Sequence, residues 1–122
     1  MTEADGAIFD GLNPEQRRAV EAVTGPVCIL AGAGSGKTTT ITRRIAHQVR
    51  SETFEPGALL AVTFTEKAAG EMKRRLLNLQ VTGVQARTFH SAALKQLGFF
   101  RSGWVQNVLS SKAQILGAMV RA

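Results

Sequence analysis

The chain has 122 residues, 44% of them hydrophobic and 20% charged, the balance of one small soluble globular domain. Its apolar runs are far shorter than the roughly 20 residues that span a bilayer, its acidic start is no secretory signal, and one cysteine with two histidines excludes a disulfide framework or clustered metal site, so a cytoplasmic location without membrane contact is expected. Net charge is +6 and unevenly spread. No Asp or Glu follows Glu71, whereas Lys73, Arg74, Arg75, Arg87, Lys95, Arg101, Lys112 and Arg121 do. That half predicts a polyanionic partner, nucleic acid first, with a solvated face against an acidic domain as the alternative.

Residues 1–11 read as a flexible leader with little to bury. A helix starts at Leu12-Asn13-Pro14-Glu15-Gln16, with Asn13 as N-cap, Pro14 at its first position and Gln16 at its third to close a capping box. Ala19, Val20 and Val23 give it an apolar face, and Gly25-Pro26 ends it. Val27, Cys28, Ile29 and Leu30 form an expected first strand, with Cys28 as a small core residue. The loop Ala31-Gly32-Ala33-Gly34-Ser35-Gly36-Lys37-Thr38 follows and opens a segment of helical spacing. Strand, glycine-rich loop and helix in that order are the setting of a phosphate-binding loop. Its glycines let several N–H groups converge on an anion, and the helix adds its positive dipole end. Lys37 reaches the β- and γ-phosphates of a nucleoside triphosphate, and the Thr38 hydroxyl is offered to Mg²⁺. Ala31 stands where the strict pattern has its first glycine.

Ile41, Ile45 and Val49 recur every four residues and predict a buried stripe. The β-branched run from Thr38 to Thr42 is intrinsically poor helix, which packing must override. After a polar loop over 51–57, residues 58–62 read as a second strand, about thirty residues beyond the first, as a parallel βαβ unit requires. Thr65 caps a helix lined by Ala68, Ala69, Met72, Leu76 and Leu79, with Glu71 four residues before Arg75. Residues 84–87 read as a third strand, 90–97 as a short helix, 98–103 as a loop, and 105–109 as a fourth strand. A last helix, capped by Ser110, extends to Val120.

Ligands gather at the carboxyl ends of strands in open α/β sheets. Thr63, Phe64 and Thr65 end the second strand; Thr88, Phe89, His90 and Ser91 end the third. Each segment offers hydroxyls for phosphate oxygens and an aromatic face for a base. Capping by Thr65 and Ser91, with both phenylalanines in the core, is the alternative.

Four blocks at this spacing, the 12–16 helix start, the loop from Ala31 to Thr38, the segment from Ala61 through Thr65 to Met72, and Thr88-Phe89-His90-Ser91, resemble the N-terminal part of UvrD/Rep-type superfamily 1 DNA helicases. The likeness covers roughly residues 12–97, and the continuation Leu109-Ser110-Ser111-Lys112-Ala113 is similar to an actinobacterial-type branch. The resemblance implies an α/β, RecA-like P-loop NTPase fold: a partial domain over 12–122, with three to four parallel strands flanked by helices. It implies ATP and Mg²⁺ as cofactors, with Gln16 reading adenine and residues 31–39 holding the phosphates, Lys37 and Thr38 carrying the chemistry. It also implies contacts to single-stranded or duplex DNA from Thr63, Phe64 and Thr65 and from Thr88, Phe89 and His90. Two positions depart from the family pattern: Thr39 stands where many relatives carry Arg, and Glu66 where many carry Asn.

In this family a later Asp-Glu pair holds the metal and positions the attacking water, and with no acid after Glu71 that pair is not in the chain. The chain is therefore expected to be the N-terminal piece of an ATP-driven DNA helicase of repair or replication, without the remaining helicase domains and without hydrolysis of its own. The alternatives are a non-catalytic single-stranded nucleic-acid or nucleotide binder, and another small P-loop NTPase.

Overall fold

A computed structural model describes residues 3–101 and residue 120. The elements are α1 (Glu3–Phe9), α2 (Pro14–Glu21), α3 (Lys37–Arg50), a 3₁₀ turn (Pro56–Ala58), β1 (Leu60–Thr63), α4 (Glu66–Asn78), β2 (Gln85–Thr88) and α5 (Phe89–Phe100). The chain divides into two compact units, Met1–Phe89 and His90–Ala122.

In the first unit β1 and β2 pair in parallel, Leu60 opposite Gln85 and Thr63 opposite Thr88, with α4 as the crossover. Ala61 and Ala86 are register partners and both buried. Their small side chains leave room for Met72 and Leu76 of α4, which join the same core as Ile8, Val20, Ile45, Ala46 and Val81. Each large aliphatic side chain so buried contributes about 1.5–3 kcal/mol.

The expected strand at 27–30 does not form. Leu30 is 91% exposed and Cys28 is exposed rather than core. A strand exists only through a hydrogen-bonded neighbour, and this run has none among the described residues. A cavity of about 430 Å³, lined by Val27 and Ile29 and by Leu60 and Val62, lies where a paired strand would pack. The described sheet thus has two strands rather than three to four; the expected fourth strand at 105–109 and the helix after it lie outside the described residues.

The supposed leader is also structured. Residues 3–9 form α1, whose Ile8 is 1% exposed. Arg43 Nη1 donates to the carbonyls of Ala7, Ile8 and Asp10 at 2.7, 2.9 and 2.7 Å, satisfying oxygens that a helix end leaves without partners. Phe9 packs edge-on against His47, with centroids 5.0 Å apart, and the Arg17 guanidinium sits 4.7 Å from the Phe9 ring centroid.

Helix α3 buries a wider face than its aliphatic stripe predicts: Ile45 is in the core and Val49 packs against it. Thr40, Thr42, Ala46 and Gln48 are buried along with Ile45, while Ile41 is 38% exposed. The threonines tolerate burial because their hydroxyls bond back to the preceding turn. Thr40 Oγ1 donates to the Gly36 carbonyl at 3.0 Å, and Thr42 Oγ1 lies 2.9 and 3.0 Å from the carbonyls of Thr38 and Thr39. Arg44 Nε and Gln48 Nε2 donate to the carbonyls of Ala22 and Val23, so α3 clasps the end of α2. In the second unit, α5 runs on to Phe100, through the first residues of the expected 98–103 loop, and Phe99 and Phe100 are exposed.

Candidate nucleotide and DNA-strand site

The capping box at α2 forms as expected: Gln16 N–H donates to Asn13 Oδ1 at 2.8 Å, and Asn13 N–H donates to Gln16 Oε1 at 3.0 Å. The Gln16 amide then reaches across to the glycine-rich loop, where Nε2 donates to the Ser35 carbonyl at 3.2 Å. Two residues nineteen positions apart are thereby tied together. A cavity of about 310 Å³ is lined by Gln16, Ala19, Leu30, Ala31, Ser35 and Lys37, among others.

The loop turns on Gly34 and Gly36, with φ of 74° and 83°, a region that L side chains enter at a penalty of about 1–2 kcal/mol. A Cβ at Gly36 would lie 2.9 Å from Gln16 Nε2, so glycine here serves both the turn and the approach of the amide. Within the loop the Ser35 N–H donates to the Gly32 carbonyl at 3.3 Å, and the Ser35 hydroxyl donates to the same oxygen. Gly32, Ala33, Gly34, Lys37 and Thr38 are exposed, and α3 begins at Lys37. The first N–H groups of that helix have no intrahelical acceptor, so they and the Lys37 ammonium are disposed toward an anion. These residues fit a triphosphate: open backbone donors, one cation and a threonine hydroxyl at the helix mouth. Among the described residues no group of three or more His, Cys, Asp or Glu could hold a metal ion; the Thr38 hydroxyl is an exposed oxygen at the helix mouth.

Thr39 is half-buried and turned elsewhere: its Oγ1 accepts a hydrogen bond from Arg75 Nη1 of α4 at 2.9 Å. Arg75 Nε donates to Glu71 Oε1 at 2.9 Å, and Arg74 grips the same carboxylate with Nε at 3.2 Å and Nη2 at 2.7 Å. Hydrogen bonds from Arg74 first, and Arg75 second, hold the Glu71 carboxyl below its ordinary range. The i, i+4 pair was legible in the sequence; its extension to Thr39 was not, because nothing local marks a contact thirty-six residues away.

At the carboxyl ends of the strands Thr63 and Thr88 stand opposite each other, followed by Phe64 and Phe89. The phenylalanines are not core residues: Phe64 is 90% and Phe89 55% exposed, with ring centroids 5.4 Å apart at 44°. The hydroxyls are largely engaged within the fold. Thr65 Oγ1 caps α4 by accepting the Ala68 N–H at 3.0 Å, and Thr63 Oγ1 donates to the Thr65 carbonyl at 3.1 Å. Thr88 is buried, its hydroxyl 3.5 Å from Glu66 Oε1. The acid that departs from the family pattern thus reaches the second segment's threonine. His90 is exposed and falls in the second unit.

The family model for the UvrD/REP helicase N-terminal domain matches residues 12–114. ATP-dependent DNA helicase UvrD2 of Mycobacterium tuberculosis is 48% identical over 95% of this chain and 18% of its own length. UvrD1 of the same organism is 47% identical over 74% of the chain and 12% of its own length. Escherichia coli ATP-dependent DNA helicase Rep is 51% identical over 68% and 13%. The chain therefore spans less than a fifth of the length of these relatives. With most of its length inside the matched region, it belongs to the UvrD/REP helicase N-terminal domain family.

Proposed function

We propose that the chain is the N-terminal, ATP-binding part of an ATP-dependent DNA helicase, a cytoplasmic motor that moves along one DNA strand in repair or replication. The observation that supports this reading is the cavity lined by Gln16, Ser35 and Lys37, with the Gln16 amide bonded to the glycine-rich loop. Gln16 orients the base, the backbone of residues 31–36 and the first turn of α3 cradle the phosphates, and Lys37 neutralises the terminal ones. Thr38 offers its hydroxyl to the accompanying Mg²⁺, and Thr39 stands behind them. Bound ATP supplies the phosphoryl group whose loss drives the motor; in this family the acidic pair that positions water comes from a later strand, and the residues of this chain bind and orient the nucleotide. The paired rings of Phe64 and Phe89 stack bases, with Thr63, Thr65 and Thr88 along the backbone path; His90, in the second unit, makes a further DNA contact of its own. The basic, acid-free stretch after Glu71 attracts the phosphates.

The test is a pair of titrations on the chain, one with a fluorescent ATP analogue and Mg²⁺, one with a labelled oligodeoxynucleotide. Expected are saturable nucleotide binding and single-strand binding that weakens as salt rises. Strand binding with no nucleotide binding would leave a plain nucleic-acid binder, and nucleotide binding alone another P-loop protein. Either outcome overturns the proposal.

A further inference from the structure

The bridge from Arg75 to Thr39 joins the two halves of the proposed site. Thr39 lies two residues beyond Lys37, on the first turn of the helix that opens at the phosphate loop. At its other end α4 begins at its cap Thr65, immediately after Phe64, and its first residue, Glu66, reaches Thr88 on β2. Arg75 is bonded to both sides at once, from Nε to Glu71 and from Nη1 to Thr39. A guanidinium is planar, and these two nitrogens leave it in fixed directions, so the group acts as a spacer of set length. Glu71 cannot swing away with it, because Arg74 holds both carboxylate oxygens. At the Thr39 end the first turn is braced internally, the buried Thr40 and Thr42 hydroxyls bonding to the carbonyls of Gly36, Thr38 and Thr39. Any displacement of the first turn of α3 on filling of the phosphate loop would therefore stretch this bridge or carry α4 with it. A lysine at position 75 would offer one rotatable nitrogen in place of two held in a plane, so it would not fix the spacing between the two partners.

We propose that Thr39 and Arg75 are positioning residues that couple occupancy of the nucleotide site to strand binding at the ends of β1 and β2. This rests on the functional reading above. Coupling between two ligands is reciprocal and typically amounts to about 5–150-fold in affinity, and it is carried here by a hydrogen-bonded link rather than by shared ligand contacts.

The experiment measures the chain's affinity for a labelled single-stranded oligodeoxynucleotide with and without a non-hydrolysable ATP analogue and Mg²⁺. The ratio of the two affinities is the readout, since a merely structural role would change both affinities together and leave it alone. In the unsubstituted chain the ratio is expected to depart from one by at least about fivefold. In Arg75→Ala and Arg75→Lys it should fall to within about twofold of one. Thr39→Val, which keeps shape and charge, should do the same, whereas Thr39→Ser, which keeps the hydroxyl, should restore it. A ratio that survives Arg75→Ala and Thr39→Val, or a ratio of one in the unsubstituted chain with both ligands bound, overturns the coupling and leaves the site reading standing. Failure of the unsubstituted chain to bind either ligand overturns the site reading, and the coupling with it.

Discussion

Replacing Lys37 with alanine is expected to weaken Mg²⁺-nucleotide binding by a factor of about 100 or more. The ammonium is the one cation at the mouth of α3, and charge-assisted hydrogen bonds contribute about 1.5–3 kcal/mol each. Removing two such bonds to phosphate oxygens at once sets that scale. The side chain is exposed, and among the described residues none relies on it for a hydrogen bond or ion pair, so the fold should not notice. Calorimetric or fluorescence titration with an ATP analogue reads the affinity, and far-ultraviolet circular dichroism checks that helix content is unchanged. Lys37→Met, which keeps the stem and removes only the charge, should behave as Lys37→Ala does. A loss below about fivefold with the fold intact would remove Lys37 from the nucleotide site, because a single charged hydrogen bond already exceeds that.

The second large effect is expected on the DNA side. Base stacking on an aromatic ring contributes about 1–3 kcal/mol per base, so Phe64→Ala or Phe89→Ala alone should weaken single-strand binding by about 5–150-fold. The double variant should lose less than the product of the two, since the rings touch and removing one changes the seat of the other. Stability is the control. Phe64 is almost wholly exposed, so its truncation removes little buried area. Anisotropy with a labelled oligodeoxynucleotide reads the effect, and nucleotide binding by the same variants should change little. Strand affinity that is unmoved in the double variant would return both rings to chance surface exposure.

Much of this site could be read from residue order because its chemistry is local. The capping box needs only Asn13 and Gln16 at their spacing and formed where expected, and α3 opens at Lys37 directly after the glycine-rich turn. The parallel pair of strands and the helix between them were also legible, since each apolar run is bounded by turns and by a period of its own. What failed depends on partners far along the chain. Four apolar residues at 27–30 carry every local mark of a strand, yet a ladder needs a neighbour and sequence does not say whether one is present. Helix α1 has a Gly and two acids in seven residues, and is held by Arg43, more than thirty positions away. The buried face of α3 extends beyond its aliphatic stripe because hydropathy counts threonine as polar, whereas a threonine bonded to its own preceding turn has already satisfied its hydroxyl. Thr39, a departure from the family pattern, has a partner only the fold reveals.

The amide of Gln16 has a polarity fixed before any ligand arrives. Its oxygen accepts the Asn13 N–H and its nitrogen donates to the Ser35 carbonyl; turning the group over would set hydrogen against hydrogen and lone pair against lone pair. One lone pair and one N–H remain free, in places that cannot be exchanged. Adenine presents an amino donor beside an N7 acceptor and so complements both. Guanine presents two acceptors, and its O6 would face the glutamine oxygen. In the proposed nucleotide site the helix cap would then double as a filter between purines, with an expected discrimination of about 1–3 kcal/mol. Competition of unlabelled ATP and GTP for the fluorescent nucleotide would show it, and equal displacement by the two would mean that the amide turns freely after all.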